Sequence, residues 1–361
     1  MKNAIMVSRT EFPKKNIGDY VQAIAARQFS PDAVFVQRER LREYDGEPVK
    51  MIMNGWFMIH PEQFPPSDKI KPLYISFHMN PTNAAAMLAN GGLEHLKKHE
   101  PIGCRDKGTE KLLKNAGVEA YFSGCLTLTL GQTYKLPDEA TRHGIYFVDP
   151  AFDVRGGKLY WALLLFKSIG AILSKPLLLL RLYRKIVKIS WIEHWEQIPW
   201  LKRWFYTLDF YRQYSTVFGD DIIDAAEFME QHIRQDLFKT EESKFAMADS
   251  MLKKYESAEL VVTGRIHAAL PCTGMGTPVV FTNLERQNSG TSASIGRLDG
   301  LLEFFNLVEM GHGDAIMKFS IVSTDGKLHR GTTIPRNESW RTYAAAMADK
   351  ALRFMQGVER E

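Results

Sequence analysis

The sequence predicts an α/β protein of two lobes. Short apolar runs rich in β-branched residues alternate with segments whose apolar residues recur at helical spacing. The alternation runs to about residue 150 and resumes after about residue 220. Such a pattern implies parallel strands wrapped by helices. At 361 residues, with 45% hydrophobic and 24% charged residues, the chain can build two cores, and disorder is excluded as its main state.

In chain order, "AIMVS", "AVFVQ", "VKMIMNGW", "LYISFHM", "PIGCR" and "AYFSGCLTLTL" read as strands or strand ends. "GDYVQAIAARQF", "NAAAMLANGGLEHLKKH" and "KGTEKLLKNAGV" read as the helices between them. "IYFVD" falls near the end of the first lobe, 1–150. The second lobe, 221–334, takes "FAMADSMLKKYESA" as helix, "ELVVTG" as strand, "RIHAALPCTGMG" as helix and "TPVVFTN" as strand. Residues 151–220 read as a helical basic and aromatic insertion, and 335–361 as a C-terminal helix that packs back on the first lobe. No strong internal repeat and no low-complexity linker divides them.

Three cysteines, Cys104, Cys125 and Cys272, lie among apolar or small residues without metal-ligand spacing. They predict buried thiols in a reducing compartment and neither a disulfide framework nor a metal site. "MKNAIMVSRTEF" has no apolar core or small-residue cleavage site of a signal peptide, which predicts a cytoplasmic protein. A net charge of +4 is too mild to indicate nucleic acid.

From Lys158 to Arg203 the composition changes. Trp161, Trp191, Trp195 and Trp200, with Trp204 just beyond, are five of the seven tryptophans. Nine lysines and arginines there meet only Glu193 and Glu196. Lys167, Lys175 and Pro176 interrupt every apolar run, whereas a spanning helix needs about 20 apolar residues. Beyond Pro176, Arg181, Arg184, Lys185 and Lys188 fall at i, i+3, i+4 and i+7, a basic stripe on an otherwise apolar helix. That pattern, with tryptophans nearby, predicts a helix lying on an anionic membrane surface. The other reading is an amphipathic helical pair packed between the lobes, its lysines merely solvated.

The chemistry gathers where strands give way to helices. In "ELVVTGRIHAAL", Arg265 and His267 follow a strand and open a helix, whose free N–H groups and positive dipole end favour an anion. Arg265 adds a fork fitted to phosphate or carboxylate, and His267 can move a proton near neutral pH unless it is purely structural. In "PIGCRDKGTEKLL", Arg105 holds the same position and can take a second anionic group, or pair with Asp106 at the surface. In "KKNIGDYVQAIAARQF", Asn16, Asp19 and Gln22 can bind sugar hydroxyls, with Asp19 equally suited to capping the helix. His78 also follows a strand and is a secondary candidate. "NSGTSASIGRLDG", carrying Arg297, reads as a polar, aperiodic loop that closes over a ligand or binds a sugar.

Three stretches in this order, "NIGDYVQAIA", "PIGCRDKGTEKLLKNAGVEAYFSGCLTLTL" and "VVTGRIHAALPCTGMGTPVVF", resemble the polysaccharide pyruvyl transferases over about residues 1–300. The family's usual Arg-Leu-His is here Arg265-Ile266-His267. The resemblance implies two Rossmann-like lobes facing a cleft, similar to the glycosyltransferase-B architecture, with phosphoenolpyruvate between them. It makes Arg265, Ile266 and Arg105 binding residues for that co-substrate and His267 the general acid or base, with no further cofactor. The expected reaction is ketal formation, on galactose as the 4,6-ketal, in a polyprenyl-diphosphate-linked glycan of capsule or exopolysaccharide. An enzyme with that acceptor gains by lying on the inner face of the membrane, which gives Trp161, Arg181, Arg184, Lys185, Lys188, Trp191, Trp195, Trp200 and Trp204 a use. Two other readings stay open: a two-lobed glycosyltransferase whose Arg265 holds a nucleotide diphosphate, and a non-catalytic membrane scaffold. The oligomeric state is left open.

Overall fold

The computed structural model describes residues 1–8, 14–56, 59–136, 138–153, 157–186, 198–284, 296–311 and 313–357. After β1 (Lys2–Val7) and the short β2 (Lys14–Asn16), helix α1 (Gly18–Arg27) leads to β3 (Val34–Gln37), β4 (Val49–Ile52) and β5 (Ile70–Leu73). The first sheet has the order β3-β1-β4-β5, all parallel. Helices α2 (Ala84–Leu88) and α3 (Gly92–Lys98) precede β6 (Ile102–Cys104), and α4 (Lys107–Asn115) joins it to the parallel β7 (Ala120–Phe122). Backbone bonds from Gly103 N to Tyr74 O, from Phe77 N to Gly103 O and from Arg105 N to Phe77 O fasten β6 alongside the chain that leaves β5.

The second sheet opens with β8 (Ile145–Val148), which leads into α5 (Lys158–Ser174), α6 (Pro176–Ile186), α7 (Trp200–Tyr214) and α8 (Asp220–Ala225). Next come β9 (Glu227–Met229), β10 (His232–Arg234), α9 (Glu241–Ser257), β11 (Leu260–Thr263), α10 (Ile266–Met275), β12 (Val279–Leu284), β13 (Asn306–Gly311) and β14 (Asp314–Met317). The sheet order is β14-β13-β12-β11-β8-β9, parallel except for β14, and β10 instead pairs antiparallel with β2.

Alternation along the central strands decides what covers each face, because successive side chains point to opposite sides. Phe147, Leu260, Val262 and Val280 share a core with α6, α7 and α8. Tyr146, Val148, Val261 and Phe281 share another with α9 and α10, and that core also takes in α1 and Ile5, Val7 and Ile52 of the first sheet. The C-terminal helix Arg341–Gln356 lies against β4 of the first sheet and against β7, with Lys50 Nζ donating to Phe354 O at 3.3 Å and Lys350 Nζ to Tyr121 Oη at 2.6 Å.

Four expectations change. "IYFVD" is β8, paired with β11 in the second sheet, so the chain leaves the first lobe before residue 145. A one-strand apolar run carries no signal of which sheet it joins. "NAAAMLANGGLEHLKKH" is two helices, broken where Asn90 and Gly91 take φ of 50° and 88°. In "AYFSGCLTLTL" the strand ends at Phe122. Gly124 turns at φ 76°, and Leu126–Gln132 is a 3-10 helix in which Thr129 Oγ1 donates to Leu126 O at 2.7 Å, the local side-chain bonding that lets threonine compete with a strand ladder.

The basic stripe is also reassigned. Arg181 Nε and Nη2 each donate to the Asp224 carboxylate at 2.7 Å, Lys185 Nζ bonds Asp224 O, and Lys175 Nζ lies 2.5 Å from Asp220. These cations tie α5 and α6 to α8, so Arg181 and Lys185 are structural, while Arg184 is exposed. Trp161 packs 4.3 Å from Phe205 and Trp204 stacks 4.5 Å from Tyr183, inside the helical layer, whereas Trp200 is exposed. Lys188, Trp191 and Trp195 lie outside the described residues. Among the described residues no single helix is long and apolar enough to cross a membrane. All three cysteines are buried and free.

Candidate active site

Arg105 directly follows β6, and the next residue, Asp106, caps α4 by accepting from Thr109 N at 2.8 Å. The other Asp106 oxygen accepts from His78 Nδ1 at 2.6 Å. A carboxylate only accepts, so Nδ1 carries the hydrogen and His78 Nε2 presents its lone pair. That Nε2 is buried and has no hydrogen-bond partner. Burial first, and then the Arg105 charge, pull the His78 pKa down to about 4 against the opposing pull of Asp106, so the ring is neutral at pH 7.

Arg105 itself is 1% exposed. Its Nη2 is 3.4 Å from the Asp106 carboxylate without hydrogen-bond geometry, and neither Nε nor Nη2 has a hydrogen-bond partner. A buried guanidinium left this way is costly, and an incoming anion is what would satisfy it.

The second sheet supplies the opposite wall. Arg265 is the N-cap of α10, with its backbone N–H donating to Thr263 Oγ1 at 3.0 Å. Its Nε donates to Asp149 Oδ2 at 3.2 Å and its Nη2 lies 2.9 Å from His232 Nδ1, which leaves the half-exposed guanidinium aimed but accessible. Asp149 directly follows β8 at φ 37° and also accepts from Gln231 N at 2.9 Å, while Gln231 Nε2 donates to His267 O at 3.2 Å. The His267 ring is buried and its Nε2 has no hydrogen-bond partner. Burial, then Arg105, Arg297 and His78, hold its pKa well below the usual imidazole value. An unliganded His267 is therefore a neutral proton acceptor.

Arg297 joins these walls. The turn it stands in is fastened to the start of α4, where Lys107 N donates to Asp299 O at 2.9 Å and a Cβ on Gly108 would meet Gly296 O at 2.5 Å. Its guanidinium lies 5.0 Å over the Trp56 ring, and Trp56 in turn stands 6.0 Å from the His78 ring. Burial, with Arg105 and Arg265 close by, lowers the Arg297 pKa to about 10. The Arg105 and Arg297 charges thus act on both neutral imidazoles, and Arg265 acts on Arg297.

The N-terminal candidates divide. Asn16 Oδ1 accepts from Gly18 N at 3.0 Å and shapes the start of α1. Asp19 makes no cap bond and instead lies 3.5 Å from Arg38 Nη1. Gln22 is buried with Oε1 lacking a hydrogen-bond partner. The Ile266 side chain lies in the apolar core. A cavity of about 290 Å³ bounded by Gln235, Phe238, Lys239, Thr240, Glu241 and Lys244 contains none of the clustered residues. Asp106, Asp149, Gln231, His232 and Trp56 are the members of the cluster that sequence reading did not single out. Asp106 was read only as a surface partner of Arg105, and Trp56 and Asp149 closed the strand runs "VKMIMNGW" and "IYFVD", whereas Gln231 and His232 had no visible signal.

The model of the polysaccharide pyruvyl transferase family matches residues 91–285, a span that carries Arg105, Asp149, Arg265 and His267. No curated protein sequence matches the chain.

Proposed function

The chain belongs to the polysaccharide pyruvyl transferase family, and from that premise we propose that it moves pyruvate from phosphoenolpyruvate onto two hydroxyls of one sugar. The sugar proposed is galactose, taken as its 4,6-ketal, in a polyprenyl-diphosphate-linked glycan, with the donor held between two facing lobes as in the glycosyltransferase-B architecture. The observation that carries the reading is the buried cluster. Arg105 has two nitrogens without hydrogen-bond partners, and His267 and His78 each have such an Nε2.

A small skeleton bearing a carboxylate and a phosphate needs several cationic anchors, and Arg105, Arg265 and Arg297 supply them. The donor's charge also offsets the cations that depress His267, so binding raises that pKa and lets Nε2 carry a proton. His267 gives this proton to the terminal methylene, which becomes a methyl group, and the central carbon becomes electrophilic. One sugar hydroxyl attacks it and loses its proton to the now neutral imidazole. The carbon–oxygen bond to phosphate then breaks, with the arginines stabilising the departing charge. The second hydroxyl closes the ring and gives up its proton, for which His78 Nε2 is the second acceptor. One proton is taken up by carbon and two leave the hydroxyls, the remaining one departing as hydrogen phosphate. Asp19 and Gln22, with Asn16 shaping the turn, border the acceptor side.

The test incubates purified protein with phosphoenolpyruvate and a lipid-linked galactoside. Phosphate should appear in step with an acid-labile pyruvate ketal on the acceptor. Absence of both overturns the proposal, and thermal stabilisation by a sugar nucleotide but not by phosphoenolpyruvate would assign the site to glycosyl transfer.

A further inference from the structure

We propose that the outward face of α5, together with the starts of α6 and α7, is a docking surface that enters the headgroup and acyl boundary of a bilayer containing anionic lipid. This surface is separate from the cluster described above, and its test does not depend on the chemistry proposed there.

Leu159, Leu163, Phe166 and Leu173 fall at i, i+4, i+7 and i+14, one stripe along α5. Leu159, Phe166 and Leu173 are each at least 75% exposed, and Leu165, Ile169 and Ile172 widen the stripe. Leu177 at the start of α6 and Trp200 at the start of α7, both 67% exposed, and Leu201 extend it. Within α5 only Leu164 and Ser168 are fully buried. Single exposed apolar residues need no explanation, but a contiguous helix face of this extent does.

Charge selects the occupant. From Lys158 to Ile186 the chain has no Asp or Glu and six Lys or Arg. Lys175, Arg181 and Lys185 are committed to α8, as described above, which leaves Lys158, Lys167 and Arg184 exposed around the apolar face. A second copy docked on the same face would bring this cationic rim against itself. Anionic headgroups would neutralise it.

The helix geometry sets the depth. At 17 residues α5 is about 25 Å long, short of the hydrocarbon core of about 30 Å. The chain then bends by 114° into α6. The Leu178, Leu179, Leu182 and Ile186 side chains of α6 are already in the protein core, so α6 cannot complete a broken span. The pair lies along the surface, with Trp200 at the level where indole rings favour the interface.

The experiment is flotation of the full-length protein with vesicles of phosphatidylcholine alone and of phosphatidylcholine with phosphatidylglycerol. The protein should float with the anionic vesicles. A triple variant, Leu159→Ser with Phe166→Ser and Leu173→Ser, should lose at least tenfold in partitioning while keeping its circular dichroism and melting temperature. Lys167→Glu should weaken binding to the anionic vesicles severalfold, and Arg181→Gln should leave binding unchanged because Arg181 faces Asp224. Failure of the wild-type protein to float with either vesicle overturns the proposal, as does flotation of the triple variant at the wild-type level. A wild-type dimer that the triple substitution dissociates, with no vesicle binding, would assign the face to self-association instead.

Discussion

Gly18 and His267, from the two ends of the proposed site, are in contact. A Cβ on Gly18 would stand 3.1 Å from His267 Cβ, 3.0 Å from Asn16 Oδ1 and 3.2 Å from Gln231 Oε1. Gly18→Ala gains a fraction of the roughly 1 kcal/mol helix propensity of an interior site, since Gly18 is the first residue of α1, and this partly offsets the crowding in stability. The imidazole, in contrast, must shift by a few tenths of an ångström. Turnover should fall about tenfold at a nearly unchanged melting temperature, as a comparison of steady-state kinetics and thermal unfolding would read.

Asp149→Asn isolates the charge that aims Arg265. At φ 37° the position suits asparagine as well as aspartate, so the backbone should hold. The carboxylate that accepts from Arg265 Nε is lost, and the guanidinium is freed to reorient. The KM for phosphoenolpyruvate should rise about tenfold, with a smaller change in kcat.

Acid should weaken the fold through its histidines. His78 and His95 have folded pKa values pulled from 6.5 to about 4, each chiefly by burial, and His267 is depressed in the same direction. The unfolded chain therefore binds these protons first as the pH falls. Stability from this source is complete above about pH 6.5 and is lost on acidification towards pH 4. Urea midpoints should drop steadily between those values, with a shallower slope in His95→Asn.

The contact of α10 with the 3-10 helix Leu126–Gln132 tolerates no side chain at Gly274. A Cβ there would meet Leu128 O at 2.3 Å, and one on Gly131 would meet Gly274 O at 2.0 Å. Since both obstacles are backbone, Gly274→Ala should cost about 3 kcal/mol, read as a lowered denaturant midpoint at constant slope.

Sequence legibility followed the range of the interactions. Arg105, Arg265 and His267 stood out because strand end, cap and helix start are neighbours in the chain. Arg297 was assigned to the acceptor side, and the charges that act on it, Arg105, Arg265, Asp106 and Asp19, are distant in sequence and come from both sides of the cluster. The stripe of Arg181 and Lys185 has regular helical spacing, yet its use is set by Asp224, more than a helix away. Periodicity reports which residues share a face and not what that face meets. The exposed face of α5 was hidden for the same reason, since its leucines have the composition of a core helix.

One core contains Ile5 and Val7 of the first sheet, Val261 and Phe281 of the second, and the buried faces of α1, α9 and α10 between them. The two halves therefore share an interior instead of meeting at a flexible linker. Heating should melt them in a single calorimetric transition, and any adjustment around a bound substrate must take the form of small sliding between packed helices, with no wide hinge opening.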